Sequence, residues 1–168
     1  PDLLVTSRHV VQGKGGVLYT EKSYGDFVFR FDFQLPPAGN NGIAIRYPSV
    51  EEIEQLPKDL RHGDAAYVGM TELQVLDDGH PNYKTIDARQ AHGSAYGMAA
   101  AKRGYLRPTG QWNHEIITVT GSKIQVELNG TRILDTDLAT ISEYMSNTPH
   151  PGKDLSLIHI SEPTRRYA

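Results

Sequence analysis

Glu72, Gln74 and Asp77 are the residues whose types and spacing best suit chemistry. They lie in Met70-Thr71-Glu72-Leu73-Gln74-Val75-Leu76-Asp77-Asp78, where apolar Leu73 and Val75 alternate with polar Glu72 and Gln74. That alternation predicts a β-strand with one face on a core. The other face carries a carboxylate and an amide roughly 7 Å apart, two residues of extended chain. Asp77 is expected on the same side if the strand bends or bulges at its end. Carboxylates supply acid and base catalysis at glycosidic oxygens, and amides match the paired donors and acceptors of hydroxyl groups, so the trio suits a sugar site. The segment also fits a strand whose polar side simply meets water.

Other strands must hold this one in place. Phe27-Val28-Phe29-Arg30-Phe31-Asp32-Phe33-Gln34 follows the turn residues Tyr24-Gly25-Asp26 and puts all four phenylalanines of the chain on one face, a period of two that no helix can use. After the loop Pro36–Gly42, Ile43–Tyr47 reads as a strand with Ile43 and Ile45 inward and Ala44 and Arg46 opposite. Arg46 then suits either substrate oxygens or a structural pair with Asp32 or Glu72. Gly15–Tyr19 reads as a further short strand. Trp112–Thr120 and Lys123–Leu128 flank the turn Gly121-Ser122. Asn129-Gly130, the dipeptide favoured in type I′ turns, leads to Thr131–Leu134. Two long connections, 48–69 and 78–110, are expected to act as functional walls or lids, or else to be mobile. Strand follows strand with no amphipathic helix of three turns, which predicts an all-β, two-sheet antiparallel sandwich or jelly roll.

The 168 residues suit one domain, and 17 basic against 20 acidic residues lack the excess that phosphate neutralisation requires. Nucleic acid is therefore not an expected partner. Cysteine is absent, which removes disulfides, thiolate nucleophiles and thiolate metal sites. No apolar run reaches the length of a membrane span. The chain begins at Pro1, so the lack of a visible signal peptide says little.

Gly93-Ser94-Ala95-Tyr96-Gly97 has alanine where a nucleophile elbow needs serine, which argues against a serine hydrolase. His9, His62, His80, His92, His114 and His150 lack zinc-site spacing. Asp77-Asp78-Gly79-His80 offers oxygen ligands for a divalent ion, but the same residues make an ordinary strand-ending turn, and no cofactor is assigned. Trp112 suits a sugar-stacking platform or a core anchor equally.

Seven segments together carry a resemblance: Gly16–Thr20, Tyr24–Phe27, Asn40–Arg46, Glu72–Asp77, Gly93–Gly97, Trp112-Asn113 and Leu128–Gly130. In order and approximate spacing they resemble the 3-keto-disaccharide hydrolase domain family over about residues 15 to 154. The resemblance implies a concanavalin A-like jelly roll whose concave sheet forms a carbohydrate cleft, similar in architecture to laminarinase-type glycoside hydrolases. Those enzymes carry Glu-x-Asp-x-x-Glu on the catalytic strand. Here it reads Glu72-x-Gln74-x-x-Asp77, and Gln74 cannot ionise, so the retaining mechanism is not expected.

The domain is expected over 1–154, truncated at both ends relative to the family and with an unpaired sheet edge. Residues 155–168 resemble a translated sequencing adapter and are expected to be read-through, although apolar Leu155, Leu157, Ile158 and Ile160 would also fit a strand. The resemblance further implies an exported bacterial protein and a glycoside-cleaving enzyme acting on 3-keto glycosides. Its rival is a non-catalytic carbohydrate-binding module on the same fold. In the enzyme reading, Glu72 is base or acid, Asp77 a second carboxylate, and Arg46 the cation facing the carbonyl oxygen. Gln74 and Tyr96 position hydroxyls. Asn41, Trp112 and Asn113 are further substrate-binding candidates.

Overall fold

The computed structural model describes residues 24–46 and 71–145. The expected Gly15–Tyr19 strand, the 48–69 connection and the 155–168 tail lie outside them. Among the described residues there are six strands: β1 (Phe27–Phe33), β2 (Asn40–Ile45), β3 (Thr71–Leu76), β4 (Asn113–Thr120), β5 (Lys123–Leu128) and β6 (Thr131–Asp137). Helical structure among the described residues is limited to single 3-10 turns at Pro81–Tyr83, Ala88–Gln90 and Leu138–Thr140.

All strand pairings among the described residues are antiparallel, in a four-stranded sheet of order β1-β4-β5-β6 and a two-stranded sheet β2-β3. β4, β5 and β6 form a meander with two-residue hairpin loops, since Thr120 pairs Lys123 and Leu128 pairs Thr131. At the second loop Asn129 (φ 50) and Gly130 (φ 84) are both left-handed, as a type I′ turn demands.

The phenylalanine stripe faces inward while Val28, Arg30 and Asp32 are exposed. Phe27, Phe29, Phe31 and Phe33 stay half-buried because β1 is an outer strand of its sheet among the described residues. They pack on a core that includes Leu73, Ile117, Ile124, Val126 and Leu128. Burying a side chain of this size contributes roughly 1.5–3 kcal/mol, so the two inner faces dominate the stability of the sandwich.

Register also decides which face of β4 points inward. Phe33, Phe31, Phe29 and Phe27 lie opposite Asn113, Glu115, Ile117 and Val119, and residues directly opposite project to the same side. A carboxylic acid, Glu115, is therefore carried into the core.

Candidate active site

β3 places Glu72 and Gln74 on the face away from Leu73, as its alternation requires. The segment Gly93–Tyr96 runs antiparallel along the other edge of β3. Gly93 N–H donates to the Gln74 carbonyl at 2.7 Å, Gln74 N–H to Ser94 at 3.0 Å, and Tyr96 N–H to Glu72 at 2.9 Å. With Leu73 bridged to Ala95, Tyr96 stands directly opposite Glu72. Sequence-distant Glu72, Gln74 and Tyr96 thus share one face.

Gly42 and Ala44 of β2 complete that face, lying opposite Gln74 and Glu72. Glu72 leans over Gly42, where an added Cβ would stand 2.7 Å from the Glu72 Cδ and closer still to Oε1. With the amide oriented to suit its neighbours, Gln74 Nε2 donates to Glu72 Oε1 at 3.2 Å and to the Asn41 carbonyl at 2.7 Å. Glu72 forms no ion pair among the described residues. Burial, which disfavours the charged form, raises its pKa above the ordinary glutamate value. A desolvated carboxylate with one amide donor is what general acid or base work requires.

A residue missed in the sequence completes the wall. Gln90 Nε2 donates to the Tyr96 hydroxyl at 2.7 Å, and Gln90 Oε1 accepts from Asp87 N–H at 3.1 Å. Asp87 and Gln90 form a capping box on the turn Ala88–Gln90, so the cap that starts this turn also fixes the amide beside Tyr96. The Asp87-x-x-Gln90 spacing is the signal that could have found it.

Other expected residues lie elsewhere. Arg46 adopts φ 59, and its guanidinium leaves the Glu72 face to donate to the Gly121 carbonyl in the β4–β5 turn. It pairs with neither Glu72 nor Asp32. The expected bend at Asp77 is absent. Register runs unbroken to Asn40↔Leu76, and the Asp77 carboxylate accepts from Ala38 N–H at 2.9 Å in the β1–β2 loop. Five extended residues, at roughly 3.3 Å each, separate Asp77 from Glu72.

Asp77 instead lines a small crevice with Leu35, Leu106, Gln111 and Asn113. Asn113 is buried there as a structural residue, its Oδ1 accepting from Arg107 N–H and Asn129 Nδ2, both at 2.9 Å. Trp112 is 48% exposed, which removes it as a core anchor. Asn41 is exposed, and its side chain accepts from Gly42 N–H at 2.7 Å.

The Asp77–His80 oxygens and ring act within turns. Asp78 pairs with Arg103 at 3.2 Å, and His80 caps Asn82 N–H at 3.2 Å. No group of three or more potential metal ligands occurs among the described residues. Ser94 is fully buried, its Oγ donating to Ala88 and accepting from Ala101 N–H, which leaves it no nucleophilic role.

Residues 3–159 match the 3-keto-alpha-glucoside-1,2-lyase-like domain family, and the chain belongs to it. The all-β sandwich is similar to two crystal structures of candidate glycosyl hydrolases from Parabacteroides distasonis ATCC 8503. One aligns with TM-score 0.65 and 21% identity, covering 80% of this chain and 67% of the other. The second aligns with TM-score 0.56 and 20% identity, covering 70% of this chain and 52% of the other. At these identities the likeness is one of fold, consistent with a jelly roll. No curated protein matches the chain.

Proposed function

We propose that the domain cleaves 3-keto glycosides, with Glu72 as the proton-transferring group. The observation that supports this most is the desolvated Glu72 carboxylate, bonded by Gln74 and facing Tyr96 on a face built from β2, β3 and the bordering segment Gly93–Tyr96. A ketone at C3 acidifies the hydrogen on C2. Glu72 takes that proton, the C2–H electrons form the enolate, and the C1–O bond breaks as the double bond moves to C1–C2. The leaving oxygen then takes up a proton. Water adds at C1 of the enone and a proton returns to C2. Direct hydrolysis is the competing route, in which no C2–H bond breaks.

The chemistry needs one carboxylate in a tuned environment, and Glu72 meets that need. Gln74 and Tyr96 are the groups we assign to substrate hydroxyl or carbonyl oxygens. Arg46 and Asp77, directed elsewhere, receive no chemical step. An extracytoplasmic location belongs to the same proposal, and cell fractionation of the native host tests it.

The full protein containing this chain should release the aglycone from a 3-keto disaccharide and not from the unoxidised sugar. Release from neither, with binding retained, would favour the carbohydrate-binding module. Glu72→Gln should lower turnover by roughly a hundredfold or more with the fold intact, the usual contribution of general acid–base catalysis. Activity within a few-fold of wild type would remove Glu72 from the chemistry. Deuterium from solvent at C2 of the product supports elimination; its absence after full turnover supports hydrolysis.

A further inference from the structure

One polar pair crosses the sandwich interior. His92, 2% exposed, and Glu115, 0% exposed, meet through Nε2 and Oε2 at 2.8 Å. His92 comes from the segment bordering β3, and Glu115 from β4 in the opposite sheet. The other ring nitrogen, Nδ1, accepts from Leu76 N–H at 3.1 Å. An accepting Nδ1 puts the ring proton on Nε2, so His92 donates to the Glu115 carboxylate.

The Leu76 contact has a particular place in the β3 ladder. Tyr96 N–H to Glu72, Gln74 N–H to Ser94 and Gly93 N–H to Gln74 are backbone bonds. Leu76 N–H is the next donor along β3, and it is met by a side chain. The His92 imidazole therefore takes the place of a backbone carbonyl at the end of the ladder. Phe33 stacks on the ring at 5.3 Å, continuing the row Phe29–Phe31–Phe33. His92 N–H donates to Asp78 at 3.3 Å, and Asp78 is held by Arg103. Glu115 Oε1 has no hydrogen-bond partner among the described residues, so the one bond to His92 anchors this carboxylate.

We propose that His92 and Glu115 are a positioning pair that sets the register of Gly93–Tyr96 against β3, and so the placement of Tyr96 beside Glu72. The effect on catalysis rests on the function proposed above, but the effect on the ladder does not. A core without this pair would still bury its apolar faces, since buried polar pairs are often replaceable by apolar side chains without loss of stability. The imidazole supplies direction, because only a ring held at both nitrogens fixes the last rung of the ladder.

The test uses the full protein with three variants and two readouts. Glu115→Gln keeps a carbonyl acceptor for His92 Nε2–H. His92→Asn keeps an acceptor near the Nδ1 position but does not reach Glu115. Glu115→Met fills the volume with no acceptor. The readouts are hydrogen exchange at the Gln74, Gly93 and Tyr96 amides, and kcat and KM on a 3-keto disaccharide.

His92→Asn and Glu115→Met should speed exchange at these amides about tenfold or more relative to the Val126 amide, and lower kcat by a similar factor. Glu115→Gln should stay within about threefold on both. Unchanged relative exchange in folded His92→Asn and Glu115→Met would overturn the proposal, as would a Glu115→Gln defect equal to that of Glu115→Met. If the wild type turns over no 3-keto substrate, the proposed function fails, while exchange still decides the role of the pair.

Discussion

The Glu72 carboxylate occupies the space above Gly42 that any other residue would fill with its Cβ. Gly42 pairs with Gln74, so the contact is diagonal across the two strands, within reach of a bent glutamate side chain. Gly42→Ala should keep the sandwich, because the strand conformation there suits alanine, yet drive Glu72 from its place. The expected result is a tenfold or greater fall in turnover with a melting temperature within a few degrees of wild type. Equal activity would show that turnover does not need Glu72 in this position.

Glu72 also makes stability depend on pH. Burial raises its pKa in the fold above the ordinary 4.5, so the folded protein holds this proton more tightly than the unfolded chain. The stabilisation is complete below the unfolded value and is lost as pH rises through the folded one. Glu72→Gln, neutral throughout, should therefore gain stability over wild type as pH rises from about 4 to 7, an interval starting near the free-residue value. Denaturant midpoints of both proteins across that range are the check. Parallel profiles would contradict the burial argument.

Asp77 should prove structural. Its carboxylate receives the N–H of Ala38, a residue held at φ 56 in the β1–β2 loop. Asp77→Ala should cost about 1 kcal/mol through the lost hydrogen bond, visible as a lower urea midpoint, with turnover within a few-fold of wild type. Asp77→Asn keeps an acceptor and should recover most of that loss. A hundredfold loss of turnover in a stable Asp77→Asn protein would return Asp77 to the chemistry.

The phenylalanine stripe, Leu73 with Val75, and Asn129-Gly130 made the sheets legible, because period-two burial and left-handed turn residues are local rules. The start of β2 was not legible. Asn40 to Gly42 read as loop, yet they pair with Leu76 to Gln74, a long-range partner supplying what local composition opposed. Glu72 with Gln74 could be read from one strand, and Tyr96 only through the resemblance.

Arg46 and Asp77 depart from the expected placement for opposite reasons. Both lie just past a strand end: Arg46 leaves the alternation of β2 at its left-handed φ 59, whereas Asp77 keeps the alternation of β3, its N–H still bonded to Gly39, and so falls on the side opposite Glu72. Glu115 escaped notice because both faces of β4 mix polar and apolar residues. The pairing with Phe31 settles which face is inner, and pairing is invisible in a single strand.

The hairpin loops of β4–β5–β6 carry a consequence for how the protein comes together. Those strands meet neighbours in sequence and need little loop closure, whereas the face bearing Glu72 joins β2, β3 and Gly93–Tyr96 across long stretches of chain. The meander is therefore expected to form the folding nucleus, with the Glu72 face condensing afterwards. Val126→Ala should slow folding, with a φ-value above about 0.5. Leu73→Ala should mainly speed unfolding, with a value below about 0.3. A chain that folds in this order assembles the Glu72 face last, so under the proposed function a partly folded molecule would be inert toward sugar.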